Sequence, residues 1–459
     1  MGRNEELESL RDQVRRITDE IMRDVQKRLE LAEQIGEIKS RLGIDVKDER
    51  VEQEIRVKVM ALAGEIGMNE DFALRLLNIL LEQSESVQAL ERQQPQKQTH
   101  LAVFMKAKQL ETAGKKIIHM EVGEPDYSPP AIVGDSLSES FRLKRYHYTD
   151  TRGIPSLRDA IAKDAGLPED NLIITPGGRF AVFSAMVALV KAGQEIIVIE
   201  PAWPAYKECA NFIGAKTRVL KTRLEDSWTP NTTQLEDMIN PATRMIVLNY
   251  PNNPTGKVLE KKTMDRILSI AKDHGLYLLS DEVYADYAFN SRFHSVLEYG
   301  YEKSIMVSSF SKRYAMTGFR VGYGIANKDV IAAMTKVQAI GITSVAEPMQ
   351  HAALAAMAAD YSQNVSLMKK RLGFVADKLR KMSLRFIEPE GAMYVYPEVP
   401  TLDDSTLVER LLGRGVAVAP GSGFGDSYKN FVRISACQPS EFLGRGLDIM
   451  ATVLQESGR

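Results

Sequence analysis

Cysteine is nearly absent from this 459-residue chain, which has only Cys209 and Cys437, far apart in sequence. That excludes a disulfide scaffold and a cysteine-based metal cluster, and it fits a reducing cytoplasm. No metal site is expected. Neither sign of charge dominates, since 59 Lys and Arg face 61 Asp and Glu for a net charge of −2. No global field therefore draws the protein to nucleic acid or to an anionic membrane surface. No apolar run approaches the roughly 20 residues of a membrane span, and the opening MGRNEELESLRDQVRR lacks the apolar core of a signal peptide. Internal repeats and low-complexity tracts are missing too. What is present is 44% hydrophobic and 26% charged residues, an ordinary globular composition. The length is about three times that of a typical domain. The expectation is a soluble, cytoplasmic, multidomain protein.

Two blocks follow different patterns. From Glu5 to about Gln94 the pattern is helical only, with no proline before Pro95 and with Gly43, Gly64 and Gly67 where helices should end. Leu7, Leu10, Val14, Ile17, Ile21, Leu31, Ile35, Ile38 and Leu42 keep a 3–4 spacing that predicts one long first helix. Val51, Ile55, Val59 and Leu62 mark a second helix. A third starts near Asn69, a good N-cap, and carries Leu74, Leu77 and Leu81. Two shorter helices are few to cover so long a stripe. The polar segment ERQQPQKQTH around Pro95 reads as a linker. Beyond it, NLIIT, EIIVIE, RMIVLNY, LYLLSDE and SIMVSSF alternate with helical stretches, which predicts a mainly parallel sheet buried on both faces. The expected boundaries are a helical domain at 1–93, a linker at 94–100 and an α/β domain at 101–459. The last divides into a large part at about 145–345 and a small part at about 101–144 plus 346–459.

In heptad register, Leu7, Val14, Ile21, Ile35 and Leu42 share one seam position, and Arg28 falls at that same position. A buried charge there needs a partner or a ligand, and Asp24, one turn earlier, is one candidate partner. Ser84 and Gln88 likewise continue the stripe of Leu77 and Leu81. Such polar groups describe either a small polar chamber in a helical bundle or a hydrophilic register device. Arg28 and Lys39 lie three turns apart on one face, about 16 Å along the axis, within converging reach of a small anion. Arg11 is about 25 Å before Arg28 and cannot reach the same ligand in the same chain. If it is functional, it enters a partner's site through an antiparallel dimer.

With Arg11, Arg28 in KRLELAEQI, Lys39 in IGEIKSRLGI, Asp48 and Glu52, then Ser84 and Gln88, residues 1–93 resemble the all-helical, AroQ-type chorismate mutases. The resemblance implies an intertwined dimer that converts chorismate to prephenate without nucleophile or cofactor. Arg11 (from the partner) and Arg28 would hold the two carboxylates. Lys39 and Gln88 would donate to the ether oxygen, Glu52 would accept from the ring hydroxyl, and Asp48 and Ser84 would complete the substrate site. Val51 stands where many of the family carry arginine.

In the α/β block each apolar run ends in a polar or glycine-rich cluster: LIIT in PGGRF, IIVIE in PAWPAY, IVLNY in PNNPTG, LYLLS in DEVY, IMVSS in FSKRYAMTGFRVGY. The carboxyl ends of parallel strands share one edge, where such folds bind ligands. Glycine amides, an indole, an amide, an acid, hydroxyls, a lysine and an arginine would converge there. That inventory suits a planar, phosphorylated, electron-accepting cofactor. With GEPDY, YTDTRGIPSLR and FVRIS added, residues from about 98 to 459 resemble the fold-type I pyridoxal-phosphate aminotransferases of the aspartate and aromatic branch.

That resemblance implies pyridoxal 5'-phosphate as cofactor, carried by Lys312, which then moves a proton to or from the substrate. It implies Asp281 at the pyridine nitrogen, Asn253 and Tyr284 at the ring oxygen and Trp203 on the ring face. The phosphate would lie among Gly178, Arg179, Ser309, Ser311 and Arg320, with Tyr148 reaching it from a neighbouring subunit. Arg433 would clamp the substrate α-carboxylate, assisted by the Gly123 amide. The expected activity is transamination of prephenate or another aromatic 2-oxo acid, with glutamate or aspartate as donor, in a homodimer or larger homo-oligomer. The alternative is an aspartate aminotransferase or pyridoxal lyase carrying a non-catalytic helical dimerisation or sensor module.

Overall fold

A computed structural model of the chain describes residues 2–42, 49–91, 99–289, 292–399 and 402–457. It divides into two compact units, Met1–Lys97 and Gln98–Arg459. Most of the expected linker at 94–100 lies outside the described residues.

Among its described residues the first unit has three helices: α1 (Gly2–Leu42), α2 (Glu49–Ile66) and α3 (Glu70–Glu91). The Asn69 side chain accepts from Phe72 N at 3.0 Å, the N-cap bond expected at that position. Gly67, at φ +69°, follows the end of α2. Gly64, expected as a stop, lies inside α2 instead. A glycine in a helix costs only about 1 kcal/mol against alanine, which a packed helix can absorb. Gly43 lies outside the described residues. Ala32 of α1, Ala63 of α2 and Ala73, Leu77 and Leu81 of α3 are buried. Leu7, Leu10, Val14, Ile17, Ile21, Leu31, Ile35 and Ile38 remain exposed, so most of the long stripe is left uncovered by the described residues of α2 and α3.

Among its described residues the second unit contains eleven strands. They are β1 (Ile118–Met120), β2 (Leu172–Thr175), β3 (Glu195–Glu200), β4 (Lys216–Lys221), β5 (Thr243–Asn249) and β6 (Tyr277–Asp281), followed by β7 (Ser304–Ser309), β8 (Gly322–Ile325), β9 (Tyr394–Val395), β10 (Val416–Pro420) and β11 (Val432–Ser435). Seven form a sheet in the order β2-β8-β7-β6-β5-β3-β4, in which β8 runs against both neighbours and the other pairings are parallel. Four form a smaller sheet, β1-β10-β11-β9. β2, β7 and the inner residues of β3, β5 and β6 are buried on both faces, which is why they read as continuous apolar runs.

The helices Ala131–Arg142 and Glu347–Ala356 pack on each other. Their Val133, Ala352, Ala353 and Ala356 join the apolar cluster of β2, β3, β5 and β6. Both helices fall in the segments assigned from sequence to the smaller part, yet their apolar residues belong to the large-sheet core. The smaller sheet has its own core, built from residues such as Met120, Leu372, Val375, Leu411, Val418 and Ile434. A separate aromatic cluster gathers Trp228, Tyr396, Phe424, Tyr428 and Phe431. No described helix is long and apolar enough to cross a membrane.

Candidate active sites

In the helical unit the seam arginine finds its partners on α3. Arg28 donates through Nη1 to the Leu80 carbonyl at 2.7 Å and to Ser84 Oγ. Ser84 is 6% exposed and also donates to Leu80 O. Asp24, the partner considered from sequence, pairs with Lys27 at 3.1 Å instead, on the solvent side. The partner came from another helix because Ser84 and Leu80 face the seam, whereas exposed Asp24 can pair along its own helix surface. Arg11 is exposed and pairs with Glu8 of its own helix at 2.5 Å. Lys39 and Glu52 are half-buried on α1 and α2. Gln88 lies on α3, while its side chain and the whole of Asp48 fall outside the described residues.

In the α/β unit one cavity of about 310 Å³ gathers the predicted set. Gly178, Arg179, Trp203, Asn253, Asp281, Tyr284, Ser309, Ser311, Lys312, Arg320, Gly123 and Arg433 all line it. Tyr148 does not, and is 88% exposed. The convergence follows from the topology. Asp281 ends β6 and Ser309 ends β7, while Gly178 opens the helix Gly178–Leu189 after β2, so all sit at one sheet edge. That helix presents unpaired amides at its start. Gly177, at φ +82°, leaves room for Arg320, whose Nη2 a Cβ there would meet at 2.4 Å. Arg320 is anchored by the Thr317 carbonyl at 2.7 Å.

Asp281 is buried and receives the Tyr206 hydroxyl at 2.6 Å. Burial pushes its carboxyl up to about 6, against the opposing pull of the Tyr206 and Val283 hydrogen bonds and the Lys312 charge. Lys312 Nζ donates to the Gly123 carbonyl. Arg433 is 2% exposed, donates to Asn253 Oδ1 at 2.9 Å and to the Glu121 carbonyl, and lies 4.3 Å from the Tyr394 ring centroid. Its Nε is buried with no partner. Tyr284 and Tyr394 share a 2.6 Å hydroxyl contact. The Arg179 guanidinium lies 4.5 Å from the Trp203 ring centroid.

Sequence reasoning missed Tyr206, Tyr394, Thr317 and Glu124, which also line this cavity. Tyr206 stands inside PAWPAY, and its position one helical turn beyond Trp203 was the available signal. Tyr394 had none, since it arrives from the smaller sheet. Thr317 donates to the Glu124 carboxylate, joining two quoted motifs whose contact no spacing reveals.

Comparison with known proteins covers both units. The family model described as chorismate mutase type II matches residues 10–89, and that described as aminotransferase class I and II matches residues 115–445. The aspartate aminotransferase of Thermotoga maritima is 35% identical over 352 residues, 75% of this chain and 93% of that protein. Its crystal structure superposes with a TM-score of 0.75 at 34% identity, covering 77% of this chain and 96% of the other. The aspartate/prephenate aminotransferase of Thermus thermophilus is 32% identical over 369 residues, 77% of this chain and 95% of that protein. The expected order of an all-helical domain before an α/β fold-type I domain is borne out, and with it the two enzyme classes. The chain belongs to the pyridoxal-phosphate-dependent class I and II aminotransferases and carries, ahead of that transferase, a type II chorismate mutase domain.

Proposed function

We propose that the helical unit rearranges chorismate to prephenate, and that the α/β unit aminates prephenate or a related aromatic 2-oxo acid from glutamate or aspartate, in the cytoplasm. One observation carries the reading. The two domains share a chain, the first domain's product is itself a 2-oxo acid, and a relative of the second is named aspartate/prephenate aminotransferase.

In the helical unit, Arg28 and the partner's copy of Arg11 hold the substrate carboxylates. Lys39 and Gln88 donate to the ether oxygen as its bond breaks, and Glu52 accepts from the ring hydroxyl, with Asp48 and Ser84 in support. The rearrangement is pericyclic, so the residues work by trapping one conformation and stabilising charge. A million-fold acceleration needs about 8 kcal/mol, within reach of a few preorganised charges. The Arg28 bonds to Leu80 O and Ser84 support such preorganisation. The exposed seam of α1 and the exposed Arg11 support a homodimer.

The cavity of the α/β unit fits its cofactor chemically, because the buried Asp281 carboxyl lines the same space as Lys312, the Ser309 and Ser311 hydroxyls and the start of the helix Gly178–Leu189. Pyridoxal phosphate, when bound, supplies an electron-accepting ring and the carbon that exchanges the amino group. Lys312 holds it and relays a proton, while Asp281 pairs with the ring nitrogen. Asn253 and Tyr284 donate to the ring oxygen, and Trp203 covers a ring face. Gly178, Arg179, Ser309, Ser311 and Arg320 take the phosphate, with Tyr148 of the neighbouring subunit. Arg433 orients the substrate α-carboxylate with the Gly123 amide.

The test is to supply the full-length protein with pyridoxal phosphate, chorismate and excess glutamate or aspartate, and to follow products by mass spectrometry. Accumulation of arogenate is expected. Prephenate that builds up while added phenylpyruvate is aminated would move the acceptor downstream, and chorismate persisting beyond its spontaneous decay would overturn the mutase assignment.

A further inference from the structure

Lys312 stands on a helix of only four residues, Phe310–Arg313. So short a helix cannot fix its own orientation through internal hydrogen bonds. The turn Ala285–Tyr287, directly after Tyr284, holds it from outside. Asp286 accepts from Arg313 Nε at 2.5 Å, and the Tyr287 hydroxyl donates to the Lys312 main-chain oxygen at 3.0 Å.

A phenol has one hydrogen to give, and that of Tyr287 is committed to Lys312. The 2.6 Å contact between the Tyr127 and Tyr287 hydroxyls therefore has Tyr127 as donor and Tyr287 as acceptor. Burial pushes Tyr127 up to about 12 and Tyr287 higher still, so both keep their protons at neutral pH. Tyr287 is fully buried, within the core of the smaller sheet. Four residues before Tyr127 lies Gly123, whose carbonyl accepts from Lys312 Nζ. One loop thus grips the lysine twice, at its amine through Gly123 and at its backbone through Tyr127 and Tyr287.

We infer that Tyr287 and Tyr127 are positioning residues for Lys312, a directed hydroxyl relay that couples the 123–127 loop to the backbone of the lysine. The inference rests on the reading that Lys312 carries the cofactor. Neither tyrosine contacts the reacting atoms; they act through the lysine's main chain.

The test uses the loaded full-length protein. Lys312→Ala comes first, because retention of the lysine–cofactor absorbance band in that variant would sink the underlying reading, whatever the tyrosines do. With the band lost in Lys312→Ala, the readouts are the pH midpoint of that band and the separate kcat and KM of Tyr287→Phe, Tyr127→Phe and the double variant. Loss of one such bond should lower kcat about three- to tenfold with KM changed less than about twofold. The pH midpoint should move by at least about 0.3 unit. Because the hydroxyls act in series, the double variant should match Tyr287→Phe alone. An unmoved pH midpoint with unchanged kcat would overturn the inference, as would full additivity of the two single variants. Should Tyr287→Phe not fold, Tyr127→Phe carries the same test, since it breaks the relay at its half-buried end.

Discussion

Tyr206 donates its hydroxyl hydrogen to Asp281 Oδ2 across 2.6 Å, and neither side chain is more than 4% exposed. This bond pulls the Asp281 carboxyl down against a larger upward push from burial. Tyr206→Phe should therefore raise the Asp281 pKa above about 6 and reduce its negative charge where the cofactor nitrogen is proposed to bind. A bond to a charged acceptor contributes more than a neutral one, so pyridoxal-phosphate affinity should fall about tenfold. Equilibrium titration of the apoprotein measures it, and unchanged affinity would remove Tyr206 from the cofactor's support.

The same carboxyl makes the apoprotein sensitive to pH. Its value stands at about 6 in the fold against an ordinary 3.8. The folded state thus binds this proton more tightly than the unfolded chain does. The contribution is fully present below the ordinary value and is lost as pH rises through the folded one. A shift of roughly two units corresponds to about 3 kcal/mol lost across that window. Asp281→Asn should lack this loss, so its unfolding free energy from urea titration should fall less between pH 4 and pH 7, by about that amount. Glu282, raised to about 7 chiefly by burial, remains in both proteins, and it differs between them only through the upward push that the Asp281 charge adds.

The two chemistries should separate by mutation. Arg28→Ala removes the guanidinium that bonds Ser84 and Leu80 O, and chorismate consumption should fall at least about a hundredfold. Amination of an added 2-oxo acid by the same variant should be unaffected. Lys312→Ala should show the reverse. Parallel assays on both variants decide it, and joint loss in either would mean that one unit depends on the other.

Subunit mixing tests the proposed donation of Arg11. Arg11→Ala and Arg28→Ala should each be inactive as mutases. In a mixed dimer one site lacks both arginines and the other keeps both. Random reassortment of the two variants should therefore restore about a quarter of wild-type activity. Failure to complement, with mixed dimers verified by mass, would place Arg11 outside the partner's site.

Much of the α/β site was legible because each apolar run stops at a cluster and the sheet brings those stops to one edge. Asp281 and Ser309 are the plainest cases, each the last residue of a buried strand. Tyr394 and Thr317 were not legible, since their place depends on how the smaller sheet and a 3-10 turn pack, not on local pattern. Strand β4 was also missed. Its sequence KTRVLK has one fully buried residue and sits at the sheet edge, where no continuous apolar run is needed. In the helical unit, periodicity found all three helices and the misplaced Arg28. It could not tell the intrahelical neighbour Asp24 from Ser84, because the choice is made by which faces meet.

The aromatic cluster around Trp228 has an optical consequence. The chain holds two tryptophans, and they occupy opposite environments. Trp228 is 2% exposed among Tyr396, Tyr428 and Phe431, while Trp203 lines the cavity beside Arg179. Emission from the first should follow unfolding, and emission from the second should follow occupancy of the cavity. Unlabelled protein therefore carries separate fluorescent gauges of integrity and of loading, and Trp203→Phe isolates the former.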